Sequence, residues 1–533
     1  VFGNLSYPTP GLVDLALETW AGKPRKIDAR NRFMSGMPAH VVANALGFAG
    51  GAFAVDAACA SSLYAIKLAC DRLHDGVADI AIAGGVNHAD DLFLHGGFSA
   101  LHALSPTGQS RPFHRDADGL VPAQGAAVLV LERLDDAIAA GHTVLGVIRG
   151  VGLSNDGRSR GLMVPAEEGQ IRALRAAYAV SGLSPRDISL VECHATGTVV
   201  GDGAEVRSMR EVFAGVRELP IGSLKSNVGH LITASGGAGI IKVLAAMRAG
   251  IRPPTLHADA AIDELGDGAF RLLRAEEPWK CEGPRRAAVS NFGFGGNNAH
   301  LIVEEFSPRA PHASGRGFAT FAAENDPVAV VAQSVRTGAS PGASDFAKAL
   351  FTTPPAGTLA PAHAAASDVG IDAAGLRFPP TDLKAALSQQ LLMLAAAQDL
   401  GAVLERLPHD RTSLLVGMQC DAEVARHAIR WCGDRGWVAT LPDALANEPL
   451  TAASVVGCMP NIVANRLSHQ FDVRGPSFTV SSEEVSGTVA LDLALRALRA
   501  GEIDAAVVGA VDLACEPVQT LAGRAVLPAE RQT

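Results

Sequence analysis

The chain of 533 residues carries a formal net charge of −10, is 48% hydrophobic and contains eight cysteines. Its acidic balance argues against nucleic acid as the main ligand, because phosphate binding needs concentrated Lys and Arg. No apolar run reaches the roughly 18 to 20 residues of a membrane helix, and no cationic leader precedes an apolar signal segment. The length predicts two domains, or two halves of a larger assembly, rather than a single core. Cysteines 59, 70, 193, 281, 420, 432, 458 and 515 are dispersed, with no zinc-like or disulfide-like spacing, so reduced thiols in a cytoplasmic setting are expected.

In chain order, the first feature is basic: KPRKIDARNR (23–32) holds Lys23, Arg25, Lys26, Arg30 and Arg32 around one acid, Asp28. Such a run reads as a solvated face or as a docking surface for an acidic partner. In AFAVDAACASSLYAIKLACDRL (52–73) an apolar, β-rich run ends at a small-residue turn, and Leu63, Ile66, Cys70 and Leu73 then follow helical spacing. Cys59 therefore stands at a helix N-terminus, where free amide N–H groups and the helix dipole would favour a thiolate and hold an oxyanion. Taken alone, it is equally well a buried structural cysteine.

A short strand is predicted in VADIAIAGG (77–85) and another in ISLVECH (188–194), the second ending at His194 in the turn VECHATGTVVGDGAEV (191–206). IGSLKSNVGHLITASGGAGIIK (221–242) sets His230 beside Lys225, ahead of a small-residue helix. A strand over AAVSNFGF (287–294) runs into a glycine turn with Gly293 and Phe294. Two histidines at strand-to-loop junctions rich in glycine have the look of placed catalytic groups.

FSPRAPHASGRGFATFAAENDP (306–327) has linker composition. DPVAVVAQS (326–334) reads as a strand, 336–383 as loop, LKAALSQQLLMLAAAQDL (383–400) as a helix and TSLLVGMQ (412–419) as a strand. The chain then repeats itself. GMPAHVVANALGF (36–48) recurs as GCMPNIVANRLSH (457–469), and residues 53–87 recur without a gap as 478–512, which sets Glu484 opposite Cys59.

The motifs ACASS, HATGTVVGD, KSNVGH and NFGFGGNNAH, in that order, resemble a β-ketoacyl synthase of the polyketide and fatty acid synthase type. The fuller wording of LYAIKLACDRLHDG and LSPTGQSRPFHRDADGLVPAQGAA is similar to the ketosynthase of bacterial polyunsaturated fatty acid (PUFA) synthases. The resemblance implies a thiolase-like α/β fold, layered α/β/α/β/α, and decarboxylative Claisen condensation of an acyl with a malonyl thioester. By the same resemblance Cys59 carries the acyl group, and His194 and His230 bind the malonyl thioester carbonyl and stabilise the enolate. Lys225 would orient the site. The backbone N–H groups of Cys59 and Phe294 form the oxyanion hole, with Phe294 gating the acyl pocket and Gly293 allowing close approach. No metal or bound cofactor is implied; phosphopantetheine arrives on an acyl carrier protein, for which Lys23, Arg25, Lys26 and Arg30 are the candidate docking residues.

A second copy lacking the thiol resembles a chain-length factor. There the family typically has glutamine, so Glu484 departs from the pattern: it has either a residual role in decarboxylation or none, as a surface or ion-paired residue. A ketosynthase (1–305, without its start), a linker (306–325) and a chain-length-factor-like copy (326–533, without its end) are thus expected, paired as a dimer or pseudo-dimer and working with other synthase domains. Each unit is read as incomplete, with open sheet edges and exposed apolar surface. The alternatives are a modular polyketide synthase ketosynthase, a non-catalytic assembly or dimerisation fragment, and a Cys/His thioester hydrolase.

Overall fold

The computed structural model describes residues 1–24, 26–88, 92–266, 268–307, 327–338, 342–351, 369–426, 450–513 and 516–526. The strands of the first part are β1 (Phe2–Asn4), β2 (Ala54–Asp56), β3 (Ile80–Asn87), β4 (Gly125–Glu132) and β5 (Val147–Asn155). There follow β6 (Leu190–Glu192), β7 (Leu219–Gly222), β8 (Ile251–Arg252), β9 (Phe270–Leu272), β10 (Glu277–Pro278), β11 (Arg286–Gly293) and β12 (Asn297–Glu304). The last three are β13 (Thr412–Met418), β14 (Ser477–Ser481) and β15 (Ala505–Val511).

Among the described residues these form a seven-stranded sheet, β15-β13-β14-β2-β1-β3-β4, a six-stranded sheet, β5-β12-β11-β6-β7-β9, and a small pair, β10-β8. Strands such as β2, β12 and β13 are buried along their whole length, which suits a sheet covered on both faces. Between the sheets lie helices Ser61–His74 and Ser235–Ala249, the first touching β1, β3 and β12 and the second β4 and β11. Their small residues permit this: a Cβ on Gly236 would come 2.6 Å from Cγ of Leu63. Helices Glu167–Ser181 and Val199–Val212 cover the far side of the six-stranded sheet, and Met37–Leu46 and Asn461–Phe471 pack on the seven-stranded one. The layering is the thiolase-like α/β arrangement.

The repeat is written into the seven-stranded sheet. β1 pairs in parallel with β2 and β3, just as β13 pairs with β14 and β15. The two sets join through β14 and β2, antiparallel, with Val480 opposite Val55. Those two valines are equivalent positions of the repeat, so a pseudo-two-fold axis passes between them. β2 and β14 therefore lie inside the seven-stranded sheet, whose edges among the described residues are β15 and β4. Apolar exposure does occur elsewhere, at Val130 (66%) on β4 and at Val41, Leu46 and Phe48 on and after helix Met37–Leu46.

Both copies keep the same turn. Ala58 (φ 50°) and its equivalent Glu483 (φ 51°) are left-handed, a conformation that costs non-glycine residues of order 1–3 kcal/mol. The strain is held by matching hydrogen bonds: Ala57 N–H donates to Ser61 Oγ at 2.9 Å and Ser482 N–H to Ser486 Oγ at 2.8 Å. Glycines seat each turn against its strand, since a Cβ on Gly3 would lie 2.6 Å from Cβ of Ser61, and one on Gly417 2.4 Å from the amide of Gly487. Gly3→Ala and Gly417→Ala are each expected to lower the unfolding free energy by about 1–3 kcal/mol, read from urea midpoints at constant m-value.

Three expected elements differ. Pro327–Ser334 forms no strand among the described residues: Val330 and Val331 are 85% and 76% exposed, and Ser334 and Arg336 bind Asp399. An apolar run makes a strand only where a neighbouring strand offers its backbone groups. The stretch read as loop contains helix Ala343–Phe351, and the single helix over 383–400 is two, Pro380–Lys384 and Ser388–Gln398. The break lets Leu387 N–H reach the carbonyl of Gly457 at 2.9 Å, an approach that requires glycine because a Cβ there would sit 2.2 Å from the carbonyl of Ala385. Residues 308–325 of the expected linker, and Cys432 and Cys515, lie outside the described residues.

Candidate active site

Strand β2 delivers Cys59 into a turn of 3-10 helix, Ala58–Ala60, ahead of helix Ser61–His74. Its side chain is buried, 5% exposed, in an apolar cluster with Leu94, Phe98, Leu120 and Ile232. Burial pushes the thiol up to about 12, against the charge of Lys225 and the amide N–H groups of Cys59 itself and of Phe294, which lower it. The helix N-terminus was expected to favour thiolate; desolvation outweighs it, and the resting group is a neutral thiol.

His230 places Nε2 at 3.1 Å from Cys59 Sγ. The amide of Ile232 donates to Nδ1 at 3.2 Å and Ser235 Oγ lies 2.9 Å from the same nitrogen. An amide can only donate, so Nδ1 keeps its lone pair and Nε2 carries the proton. His230 thus turns an N–H toward the sulfur and toward any oxygen that comes to lie beside it. His194 stands across from it, ring centroids 5.5 Å apart, and one donor atom from each of Cys59, His194 and His230 falls within 4.8 Å of the others. Such a set can chelate a soft cation, but the tautomer on His230 points a proton and not a lone pair at the thiol. Both histidines lie well below the ordinary imidazole value, through burial first and then the charge of Lys225. Lys225, 5% exposed at the start of a short helix (Lys225–Val228), is itself lowered by burial, against Glu192 and Glu205.

The loop bearing His194 is clamped by carboxylates not singled out in the sequence reading. Glu205 accepts from the amides of His194 (2.8 Å) and Ala195 (2.7 Å), and Asp202 from those of Thr196 (3.0 Å), Gly197 (3.2 Å) and Phe113 (2.7 Å). A signal existed, because both acids stand in the first two turns of the helix that directly follows HATGT.

Phe294 occupies the turn between β11 and β12, its ring 6.1 Å from that of Phe98. Gly293 brings this turn against the nucleophile: a Cβ there would meet the carbonyl of Ala57 at 2.6 Å and the amide of Cys59 at 3.0 Å. Asn291 Nδ2 donates to the carbonyl of Cys59 (3.0 Å) and Asn461 Nδ2, from the second copy, to the carbonyl of Phe294 (2.8 Å). On the other side of the turn the buried carboxyl of Asp56 accepts from the amide of the strained Ala58 at 2.9 Å. A residue of the second copy thereby braces the turn that presents the Phe294 amide.

The other candidates lie apart. Glu484 is exposed and stands near His40, outside the cysteine and histidine cluster; of the two readings, the surface one agrees with that placement. In the basic run Lys23, Lys26 and Arg30 are exposed, Arg30 is ion-paired with Asp28, and Arg25 lies outside the described residues. Arg32 is no part of a solvated face: it is 2% exposed and donates to Gln519 at 2.7 Å. No helix among the described residues is long and apolar enough to cross a membrane.

Known proteins carry the same organisation. The beta-ketoacyl synthase N-terminal domain matches residues 14–137 and 325–529, and the C-terminal domain of that synthase matches 145–259. A polyunsaturated fatty acid synthase polypeptide of Thraustochytrium sp. is 33% identical over 539 residues, 92% of this chain and 26% of the relative. A phenolphthiocerol/phthiocerol polyketide synthase polypeptide of Mycobacterium tuberculosis is 43% identical over 294 residues, 53% of this chain and 16% of the relative. Among solved structures, the PfaC keto synthase–chain length factor superposes with a TM-score of 0.77 at 28% identity, covering 98% of this chain and 62% of that one. The chain thus spans about a quarter or less of these curated relatives. With its thiol, two histidines and paired amides on this layered fold, the chain belongs to the β-ketoacyl synthase family.

Proposed function

We propose that the first unit, residues 1–305, catalyses decarboxylative Claisen condensation in iterative fatty acid synthesis of the PUFA type, and that the second, 326–533 after a linker over 306–325, shapes product length. The observation that carries this reading is the approach of Cys59 Sγ and His230 Nε2 at 3.1 Å with His194 alongside. Cys59 attacks the acyl thioester of an acyl carrier protein; its sulfur–carbon bond forms, the carrier's phosphopantetheine thiol leaves, and the cysteine proton goes with it. The malonyl thioester then binds with its carbonyl on the N–H groups of His194 and His230. Loss of carbon dioxide leaves an enolate on that oxygen, and its carbon attacks the Cys59 thioester. The tetrahedral oxyanion is held by the amides of Cys59 and Phe294, and collapse expels the Cys59 thiolate, which regains a proton. Lys225 lends positive charge to the decarboxylating site.

The second unit's part is supported by packing. Its Val455, Val456, Met459 and Ile462 cluster with Tyr7, Leu101 and Phe294, the last three also packing against the apolar cluster around Cys59. An acyl chain leaving Cys59 past Phe294 would run against these residues. Met459→Trp is accordingly expected to leave Cys59 loading by short acyl groups within about twofold and to lower loading by long ones tenfold or more, compared across an acyl-pantetheine length series by intact mass.

Acyl carrier protein and neighbouring synthase domains are the partners this chemistry needs, with Lys23, Arg25, Lys26 and Arg30 as the docking patch for an acidic carrier, in a cytoplasmic setting. A modular polyketide ketosynthase is the second reading, favoured by the 43% identity of 53% of the chain to a polyketide synthase. The test is incubation with an acyl-pantetheine thioester followed by intact-mass and peptide mapping. An adduct on Cys59 that passes to malonyl-derived product supports condensation. Free acid alone supports hydrolysis, and no adduct on a folded chain supports a non-catalytic assembly fragment.

A further inference from the structure

The repeat makes it possible to ask what each contact at the pseudo-two-fold axis would become if a unit met its own copy. Helices Ser61–His74 and Ser486–Arg499 are equivalent segments, and Asp71 and Arg496 are equivalent positions within them. Those two residues touch each other, Arg496 Nη1 to Asp71 Oδ2 at 3.2 Å, so the axis runs between them. Around this pair, Arg496 Nε meets Asp75 at 3.2 Å, Lys67 meets Glu502 at 2.5 Å and Arg72 meets Asp492 at 2.8 Å. The side chains of Asp71, Asp75 and Arg496 are 4%, 7% and 9% exposed, so their charges are felt strongly.

In a pair of first units, Asp71 would face Asp71, Asp75 would face Asp71, and Arg72 would face Lys67, because Lys67 is the equivalent of Asp492. In a pair of second units, Arg496 would face Arg496 and Glu502 would face Asp492. Of the four cross-unit ion pairs, the one on the axis becomes a like-charge contact in both self-pairings, and each of the others becomes a like-charge contact in one of them and a neutral contact in the other. The pair at the centre of the strand junction does not discriminate in this way: Val55 faces its equivalent Val480, valine in either combination.

We propose that this charge set decides the partner across the continuous sheet, making the first unit reject a second copy of itself and accept the chain-length-factor-like unit. The specificity comes from the repulsion built into the wrong pair as much as from attraction in the right one. It is independent of the catalytic reading, since no residue of the cysteine and histidine cluster takes part.

The test uses full-length chains. Asp71→Arg in one chain makes its own two units repel, and Arg496→Asp in another does the same with opposite sign. Co-expressed, the two are expected to exchange units, each first unit taking the other chain's second. Val55→Cys in one and Val480→Cys in the other report that exchange as an interchain disulfide at the axis. At least a tenfold excess of this disulfide over the same cysteine pair in chains of native charge is expected, and Asp71→Arg with Arg496→Asp in one chain returns it to the native level. If a single variant is insoluble alone, its recovery as soluble mixed complex on co-expression supports the proposal equally. An interchain disulfide no more abundant than at native charge, or failure of both co-expression and the double variant to restore soluble chain, overturns it.

Discussion

Cys59→Ala is expected to eliminate acyl-enzyme formation and to lower condensation by roughly 10⁴-fold or more, while Glu484→Ala leaves both within about twofold. The contrast is sharp because the two residues occupy equivalent turns with nearly the same left-handed backbone before them, φ 50° and 51°. Among the described residues, only the first turn has two histidines and a second amide gathered on it. The exposed Glu484 has neither a thiol to acylate nor a place in that cluster. Alanine in place of Cys59 removes one buried sulfur without disturbing Asn291 or Asp56, which bind backbone atoms of the turn, so the protein is expected to remain folded. Intact-mass measurement with an acyl-pantetheine donor, beside a thermal melt of each variant, reads both quantities. An adduct of native stoichiometry on the alanine variant would remove Cys59 from the mechanism.

The second large effect is expected at the histidines, and it should separate the two half-reactions. His194→Ala and His230→Ala each remove an N–H donor from the site proposed for the malonyl carbonyl, a loss worth about 10²–10⁴-fold for a positioned proton or hydrogen-bond donor. Acylation of Cys59, which relies on the amides of Cys59 and Phe294, should fall far less. Stopped-flow or quench measurement of pre-loaded enzyme with malonyl thioester distinguishes them. Because burial and Lys225 hold both imidazoles well below 6.5, each takes a proton only at a more acidic pH than an ordinary histidine does. The single-turnover rate should therefore show no loss centred near pH 6.5 as pH falls from 8 to 6. Burial raises the Glu205 carboxyl above the ordinary carboxylate range, against the amides of His194 and Ala195, so an inflection on the alkaline side of that range that vanishes in Glu205→Gln would belong to Glu205. A rate that instead halves at pH 6.5 and recovers with an ordinary histidine profile would contradict neutral, desolvated imidazoles.

Much of this was legible in the residues. Cys59, His194 and His230 each sit where an apolar strand or a glycine-rich turn meets a helix, a pattern that short-range spacing reveals; Lys225 and Phe294 were implied by the family resemblance, and the structure brings all five to one place. Glu205 and Asp202 are not legible in the same way, because an acid in a helix's first turns is so commonly a dipole partner that nothing in the sequence marks it as a loop clamp. The strand expected at 326–334 failed for the opposite reason: its pattern was adequate and its partner was missing from the described sheet.

The sequence by itself determined the family motifs, the repeat and the loss of the thiol from the second copy, since those are matters of which residue follows which. What it could not decide is that β2 and β14 meet antiparallel at Val55 and Val480, that Asn461 from one copy braces the amide-bearing turn of the other, and that Asp71 meets Arg496 on the axis. Nor could it decide the protonation of Cys59, for a helix N-terminus favours the thiolate and burial opposes it, and only the packed structure sets how much water remains. These are contacts between residues hundreds of positions apart, fixed by the packing of whole layers, and local periodicity carries no information about them.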